Sequence, residues 1–226
     1  MGANATNAGR SARLDELARS GLVRRGALAR VGQAVPSGLA PLDAVLPGGG
    51  FPCGCITEIA GPPSCGKLAL AARALAGVLA SGERAALVDT ARAFFPGLSP
   101  GLTRALASLL VSRVPTPLDG LIAAETLAAS GAVALVVVDL VTARGALEPA
   151  LRPALARLDR ALRETASAAA IVTQPGRGAD GLLGASAGLR LEVMAVGGAL
   201  RDGRLESRVV LARSRFGPPG ASALIK

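Results

Sequence analysis

The stretch GPPSCGKLAL, residues 61–70, constrains the fold of this chain more than any other. It matches the phosphate-loop pattern G-x-x-x-x-G-K-[ST] at both glycines and at the lysine. An apolar strand pattern precedes it and an Ala/Leu-rich helix pattern follows it, which is the context that such a loop requires. Lys67 and Lys226 are the only lysines among 25 basic residues. A lysine at this position is therefore best explained by descent from a phosphate loop.

The chemistry of this loop depends on three groups. The glycines let the backbone curl, so that successive N–H groups and the N-terminus of the next helix face phosphate. The lysine contacts the outer phosphates, and the hydroxyl after it ligates Mg²⁺. Here Leu68 replaces the hydroxyl, and Pro62 and Pro63 each lack a backbone N–H. The sequence predicts weak ATP binding at most and no hydrolysis. The predicted contacts in the loop are Gly61, Ser64, Cys65, Gly66, Lys67 and Leu68.

Strand and helix patterns alternate along the rest of the chain. Strands are predicted at residues 55–61, 85–90, 132–140 and 168–174, and helices at 67–81, 102–112, 118–130 and 146–166. The segments LRLEVMAV and LESRVVLAR flank RDGR and predict a hairpin. Strands separated by helices imply a mostly parallel central sheet flanked by helices, and the hairpin adds antiparallel C-terminal strands. The expected fold class is α/β.

The strand pattern VALVVVDL ends in Asp139. An apolar run closed by an aspartate is typical of the second motif of phosphate-loop ATPases, whose carboxylate holds Mg²⁺. Many parallel strands also end in an aspartate that caps the next element, and that alternative stays open. We expect Asp139 to belong to the same degenerate nucleotide site as Lys67.

Composition excludes several classes of chemistry. The chain has no histidine, which removes histidine acid–base catalysis and histidine-ligated metals. Cys53, Cys55 and Cys65 are too few for a metal site and are expected to be small buried residues in a reducing compartment. The longest apolar run, AVALVVV, is far shorter than the roughly 20 residues of a membrane span. We expect a cytoplasmic protein with no metal and no membrane partner.

The net charge of +9 is concentrated at the two ends of the chain. Residues 1–32 carry six arginines against two acids, and residues 190–226 carry seven basic residues against three acids. Basic surfaces attract polyanions such as DNA, although a merely solvated face has the same composition. The candidate phosphate contacts are Arg208, Arg213 and Arg215, and the last two share one face of a strand.

Three regions are expected along the chain. Residues 1–10 are polar and expected to be disordered, residues 11–32 are predicted to form a helix and a linker, and residues 33–226 are predicted to form the core domain. The leucines of the N-terminal helix have near-helical spacing. We expect this helix to bind a partner protein through Leu14, Leu17, Leu22, Arg24 and Arg25.

Residues 33 to about 220 resemble the RecA recombinase superfamily. The resemblance lies in the SGLAPLD element, the Gly-rich turn and loop after it, and the strands ALVDT, ALVVVDL and AAIVTQ. It implies a RecA-like ATPase core in which Gln174 senses the γ-phosphate and the loop after it, with Arg177, contacts DNA. It also places the N-terminal helix where RecA carries its self-association element.

The chain departs from the RecA pattern at positions that matter for catalysis. Ala91 stands where the catalytic carboxylate is expected, two residues after Asp89, and the first DNA loop is almost absent. The segment SGLAPLDAVLPGGGFPCGCITEIA is similar to the ImuA branch, in which degraded phosphate loops are usual. That resemblance implies a non-hydrolysing accessory protein of SOS mutagenesis that binds DNA, RecA or the polymerase-like ImuB during translesion synthesis. An active DNA-dependent ATPase and a SulA-like cell-division inhibitor are the alternatives.

Overall fold

The structure is a computed structural model that describes residues 32–95, 97, 100–141, 149–174, 183–196 and 206–225. All of them belong to one compact unit, Val31–Lys226. The regions predicted at 1–10 and 11–32 lie outside these residues, apart from Gly32. So do Arg177 and the five partner-binding candidates, Leu14, Leu17, Leu22, Arg24 and Arg25.

Ten strands and five α-helices are formed by the described residues. The strands are β1 (Ala34–Val35), β2 (Phe51–Pro52), β3 (Cys55–Ala60), β4 (Ala85–Asp89), β5 (Leu109–Arg113), β6 (Leu135–Asp139), β7 (Ala168–Thr173), β8 (Leu189–Ala195), β9 (Ser207–Ser214) and β10 (Ser222–Ile225). The helices are α1 (Ala40–Asp43), α2 (Lys67–Ala80), α3 (Pro100–Ala105), α4 (Pro117–Ala129) and α5 (Leu151–Thr165). None of these helices is both long and apolar enough to cross a membrane.

Eight of the strands form one sheet in the order β10-β9-β8-β3-β7-β6-β4-β5. Strands β3 to β8 pair in parallel, whereas β9 pairs antiparallel with β8 and with β10. β1 and β2 form a separate antiparallel pair. The predicted α/β class, with a mostly parallel sheet and antiparallel C-terminal strands, is confirmed.

The core has two layers, one on each face of the sheet. Alternate residues of a strand point to opposite faces, and β6 shows this directly: Leu135 and Val137 join one apolar cluster, and Val136 and Val138 join the other. Helix α2 packs on the first face, and α4 and α5 pack on the second. The continuous apolar run of β6 is thus explained by burial on both sides.

Helix α5 shows why these sequences become helices. Its buried residues recur at helical spacing, and its arginines occupy the opposite face, which is the pattern of a half-buried helix. The buried set is Leu151, Ala154, Leu155, Leu158, Ala161 and Leu162. The helix ends where Ala166 adopts a left-handed conformation, with φ of 56°.

Two predicted helices differ from the structure. Residues 102–112 were expected to be one helix, but α3 ends at Ala105 and Leu109–Arg113 forms the edge strand β5. The prediction was wrong because this edge strand is exposed on both faces: the consecutive residues Leu110 and Val111 both face solvent beside buried Leu109, which disguises the strand periodicity. The helix predicted from residue 146 begins at Leu151, after a turn at 149–150.

Candidate nucleotide-binding site and basic surfaces

The phosphate loop lies at the carboxyl edge of the sheet, between β3 and α2. Its backbone includes two residues with positive φ, Ser64 at 59° and Gly66 at 94°. No side chain caps the N-terminus of α2, whose N-cap residue is Gly66. The first N–H groups of a helix have no partner within the helix. The loop therefore keeps the geometry of an anion-binding nest.

The loop is fixed to the sheet behind it at two points. The Ser207 hydroxyl, at the start of β9, donates to the Cys65 carbonyl oxygen at 2.8 Å, and the Cys65 side chain is buried. A Cβ on Gly61 would lie 2.5 Å from Cys65 Sγ and 2.5 Å from the Val193 carbonyl oxygen. The backbone at position 61 thus packs so closely that only glycine fits.

Lys67 is directed into its own loop. Its ammonium Nζ donates to the Pro62 carbonyl oxygen at 2.8 Å, and only 6% of the residue is exposed. The positive charge that would meet the outer phosphates is thereby held by a backbone acceptor of the loop.

The position after the lysine contributes apolar packing instead of a metal ligand. Leu68 is half-buried and packs against the first core cluster. A leucine has no oxygen to offer Mg²⁺, which takes only oxygen ligands in proteins. Lys67 and the N-terminus of α2 are groups that can contact a phosphate, whereas the Leu68 side chain offers no ligand for the Mg²⁺ that hydrolysis requires.

Asp139 ends β6 beside the end of β4, where it lies in register with Asp89. Its Oδ1 accepts the Val141 N–H at 3.0 Å, and its buried Oδ2 has no hydrogen-bond partner among the described residues. Burial raises the pKa of Asp139 above its usual range; Asp89 raises it further, while the Val141 N–H and Lys67 lower it. The charges of Asp89 and Lys67 thus act on Asp139. That Asp139 and Lys67 belong to one nucleotide site remains a prediction.

Asp89 contacts the loop after β4 and the end of β5. Its Oδ1 accepts the Ala93 N–H at 3.2 Å, and its Oδ2 lies 3.6 Å from Arg113 Nε. The residue two positions later, Ala91, carries no carboxylate, and Thr90 donates its hydroxyl to the Asp139 carbonyl oxygen at 2.6 Å. Position 91 therefore lacks the carboxylate that the RecA pattern places two residues after Asp89.

A buried charged cluster at the centre of the sheet was not predicted from the sequence. Glu58, fully buried in β3, accepts from the Thr173 hydroxyl at 2.9 Å, and its Oε2 lies 3.9 Å from Arg190 Nε. Arg190 also pairs with Glu192, at 2.9 Å. The signal in the sequence was a glutamate inside the apolar strand CITEIA.

Gln174, the predicted γ-phosphate sensor, follows Thr173 directly and is half-buried at the carboxyl edge of the sheet.

The three described arginine candidates lie on the antiparallel extension. Arg208 is exposed, between Met194 of β8 and Leu224 of β10. Arg213 and Arg215 donate to the backbone carbonyl oxygens of residues 187 and 185, respectively, so both reach the same segment. That agrees with the expectation that they share a face. It also means that part of their donor capacity is used within the protein.

The cysteines form no disulfide. Cys55 and Cys65 are buried and Cys53 is half-buried. Burial raises the pKa of the Cys53 thiol, and burial raises that of Cys55 to about 11, so both stay protonated at neutral pH. Among the described residues there is no group of three or more cysteines and acids that could hold a metal ion.

The fold and the loop together define an α/β protein of the phosphate-loop class. The family model for the RecA N-terminal domain matches residues 17–152, which is more than half of the chain. The chain therefore belongs to the RecA N-terminal domain family, and the predicted membership of the RecA superfamily is confirmed.

Individual relatives agree with this assignment. The RecA protein of Lactobacillus johnsonii is 41% identical over 126 residues, which cover 53% of this chain and 35% of that protein. The RecA protein of Chlorobaculum parvum is 46% identical over 111 residues, covering 49% of this chain and 32% of that protein. The chain thus spans about a third of the length of these curated relatives.

A solved structure shows the same fold. The crystal structure of the RadB recombinase superposes with a TM-score of 0.64, covering 84% of this chain and 94% of that chain, at 22% identity. The superposition covers a larger share of the chain than the segment shared with RecA does. At this identity it is evidence for the fold alone.

Proposed function

We propose that this chain is a catalytically degenerate RecA-like accessory protein of SOS mutagenesis, which acts in the cytoplasm in damage-induced translesion synthesis. It works by binding DNA and protein partners, RecA or ImuB, without hydrolysing ATP. The observation that carries the proposal is the bond from Lys67 to Pro62 within the loop. Three features act against ATP hydrolysis: the charge of Lys67 is engaged by Pro62, position 68 has no hydroxyl, and position 91 has no carboxylate.

Residual nucleotide binding is part of the proposal. The nest at Ser64 and Gly66 and the N-terminus of α2 still favour a phosphate group. Without a Mg²⁺ ligand at position 68, charge that develops during phosphoryl transfer is not neutralised. We therefore expect ATP to bind weakly and to remain intact, with Gln174 and Asp139 as neighbours of the phosphates and not as catalytic groups.

DNA binding rests on charge. The chain carries +9, Arg208 is exposed near the start of β9, and the partly engaged Arg213 and Arg215 lie at and just beyond its other end. Such arginines contact phosphates irrespective of sequence, which gives an affinity that falls with salt. The narrower assignment to the ImuA branch is supported by the resemblance of residues 37–60. The N-terminal leucines and arginines are the proposed contacts to RecA or ImuB.

The test is ATP turnover with Mg²⁺, measured with and without single-stranded DNA, beside binding of labelled single-stranded DNA, RecA and ImuB. We expect no turnover in either condition, and binding that Lys67→Ala leaves unchanged. Arg208→Ala should weaken DNA binding, whereas Arg152→Ala, an exposed arginine on α5, is the matched control. Turnover that DNA stimulates and Lys67→Ala abolishes would contradict the proposal.

A further inference from the structure

Phe95 is the only exposed aromatic ring of this chain. The four aromatic residues are all phenylalanines, and all four are described. Phe51 and Phe94 are buried, and Phe216 packs against the core, but Phe95 is 68% exposed. One exposed apolar side chain needs no explanation in itself. What distinguishes Phe95 is its position at the edge of the sheet and the two arginines near it.

The ring lies at the edge of the sheet where ligands bind in this architecture. It follows β4 by six residues, and the carboxyl ends of parallel strands share one edge with the phosphate loop after β3. Ligands of open α/β sheets bind outside that edge. The position of Phe95 is therefore a binding position by topology, independently of its side chain.

Two arginines accompany the ring. Arg92 precedes it by three residues, is exposed, and adopts a left-handed backbone with φ of 53°. Arg113 ends β5 in register with Asp89, and its side chain is 59% exposed. The Asp89 carboxylate contacts both the loop after β4 and Arg113, because one oxygen accepts the Ala93 N–H and the other lies 3.6 Å from Arg113 Nε. The loop that carries Arg92 and Phe95 is thus held next to Arg113.

We propose that Phe95, Arg92 and Arg113 bind one nucleotide unit of single-stranded DNA. The ring stacks on a base, and the guanidinium groups contact the adjoining phosphates. Stacking on aromatic rings needs a free base face, which single strands expose and duplexes do not. The proposal rests on the DNA-binding part of the proposed function and locates a contact that the sequence did not single out.

This contact is separate from the arginines of β9. Strands β9 and β4 are five positions apart in the sheet, so their ends are separated by about 24 Å at the usual spacing of neighbouring strands. Arg213 and Arg215 therefore belong to the other half of the molecule. Loss of one contact should leave the other intact.

The first test uses the absence of tryptophan from the chain. Phe95→Trp keeps a stacking ring and makes it the only fluorophore of its kind. We expect a thymidine oligonucleotide to quench its emission at the same concentrations at which it binds, with affinity equal to or above that of the native chain. Ala156→Trp, at an exposed residue of α5, is the control and should not be quenched.

The second test measures affinity. Phe95→Ala should weaken binding of the thymidine oligonucleotide about tenfold, the size of one lost stacking contact. An abasic oligonucleotide of equal length should bind Phe95→Ala and the native chain equally. Arg92→Ala and Arg113→Ala should weaken binding of both oligonucleotides, whereas Arg152→Ala should affect neither.

A third measurement needs no variant. Crosslinking of the native chain to 5-iodouracil DNA under light joins the base to a stacked aromatic ring, and peptide mapping should find the adduct at Phe95. Three results would overturn the proposal: crosslinked adducts only at other residues, an unquenched Phe95→Trp, or quenching by ATP without any effect of the oligonucleotide.

The failure of this inference can be told from the failure of the proposed function. If the native chain binds no single-stranded DNA, both this inference and the DNA-binding part of the proposed function fail. If the native chain binds and Phe95→Ala binds equally well, only this inference fails.

Discussion

The ammonium group of Lys67 donates to the carbonyl oxygen of Pro62, five residues earlier in the same loop, at 2.8 Å. The lysine is almost fully buried, so this bond replaces the solvation that the charge loses. A phosphate that approaches the loop must compete with this acceptor for the lysine.

Restoring the hydroxyl should restore metal-dependent nucleotide binding. We expect Leu68→Thr to bind a fluorescent ATP analogue about tenfold more tightly in Mg²⁺ than the native chain does, since a bond to a charged group is worth roughly 1.5–3 kcal/mol. The gain should vanish when Mg²⁺ is replaced by a chelator.

Leu68→Ala is the matched control for that experiment, because it removes the same core packing and adds no oxygen. It should bind the analogue as weakly as the native chain. An equal affinity of Leu68→Thr and Leu68→Ala in Mg²⁺ would show that the missing hydroxyl is not what limits binding.

Asp139 should make stability depend on pH. Folding raises the pKa of this carboxyl by burial, so the folded chain holds the proton more tightly than the unfolded chain. Its contribution to stability is therefore fully present below the unfolded pKa and is lost as pH rises through the raised folded pKa. Asp139→Asn, which does not titrate, should be more stable than the native chain at neutral pH by about 1 kcal/mol.

The measurement is thermal or urea unfolding followed by circular dichroism across the acid range. The advantage of Asp139→Asn should shrink as the pH falls through the folded pKa. Glu83→Gln, at an exposed carboxylate, should stay within about 0.5 kcal/mol of the native chain throughout. An advantage that is constant with pH would mean that the charge of Asp139 is not its cause.

The parts of the fold that follow from hydrophobic pattern were predicted correctly. The strand ending at Asp139 is apolar at every position because both faces of the sheet are covered, and helix α2 begins at Lys67 and ends before Gly82, as expected from the glycines. The resemblance to RecA and the hydrophobic pattern both predicted these elements. The loop geometry at Ser64 and Gly66 follows from the same motif.

The parts that depend on contacts between distant residues were missed. Among the described strands β5 pairs with β4 alone, so its exposed Leu110 and Val111 obscure the period of two. The bonds of Glu58 to Thr173 and Arg190 join residues more than a hundred positions apart. Short-range pattern carries no information on such pairs, although the glutamate inside a buried strand was a visible anomaly.

The Glu58 cluster should be a large determinant of stability. Glu58→Gln keeps the shape and an acceptor for the Thr173 hydroxyl but removes the buried one of the two carboxylates that pair with Arg190. We expect a loss of about 2 kcal/mol in the free energy of unfolding, because buried Arg190 then keeps, of these two carboxylates, only the partly exposed Glu192. Urea unfolding followed by circular dichroism measures it.

Glu125→Gln provides the comparison, since Glu125 pairs with Arg157 at 2.8 Å on the surface. Pairs of this kind contribute little, so the change should stay within about 0.5 kcal/mol. Similar losses for both variants would contradict the distinction between the buried and the exposed pair.

Gly61 tests whether the first glycine of the loop is needed for packing. A Cβ there would lie 2.5 Å from both the Cys65 sulfur and the Val193 carbonyl oxygen, and a backbone atom cannot move aside as a side chain can. Gly61→Ala should therefore cost about 3 kcal/mol of unfolding free energy, the upper range for an overpacked site. Gly217→Ala, where a Cβ meets nothing within 4 Å, should be nearly neutral. Both are read by urea unfolding without nucleotide, so the loss cannot reflect phosphate binding. If Gly61→Ala is as stable as Gly217→Ala, β8 does not hold the loop, and the glycine serves only the phosphate.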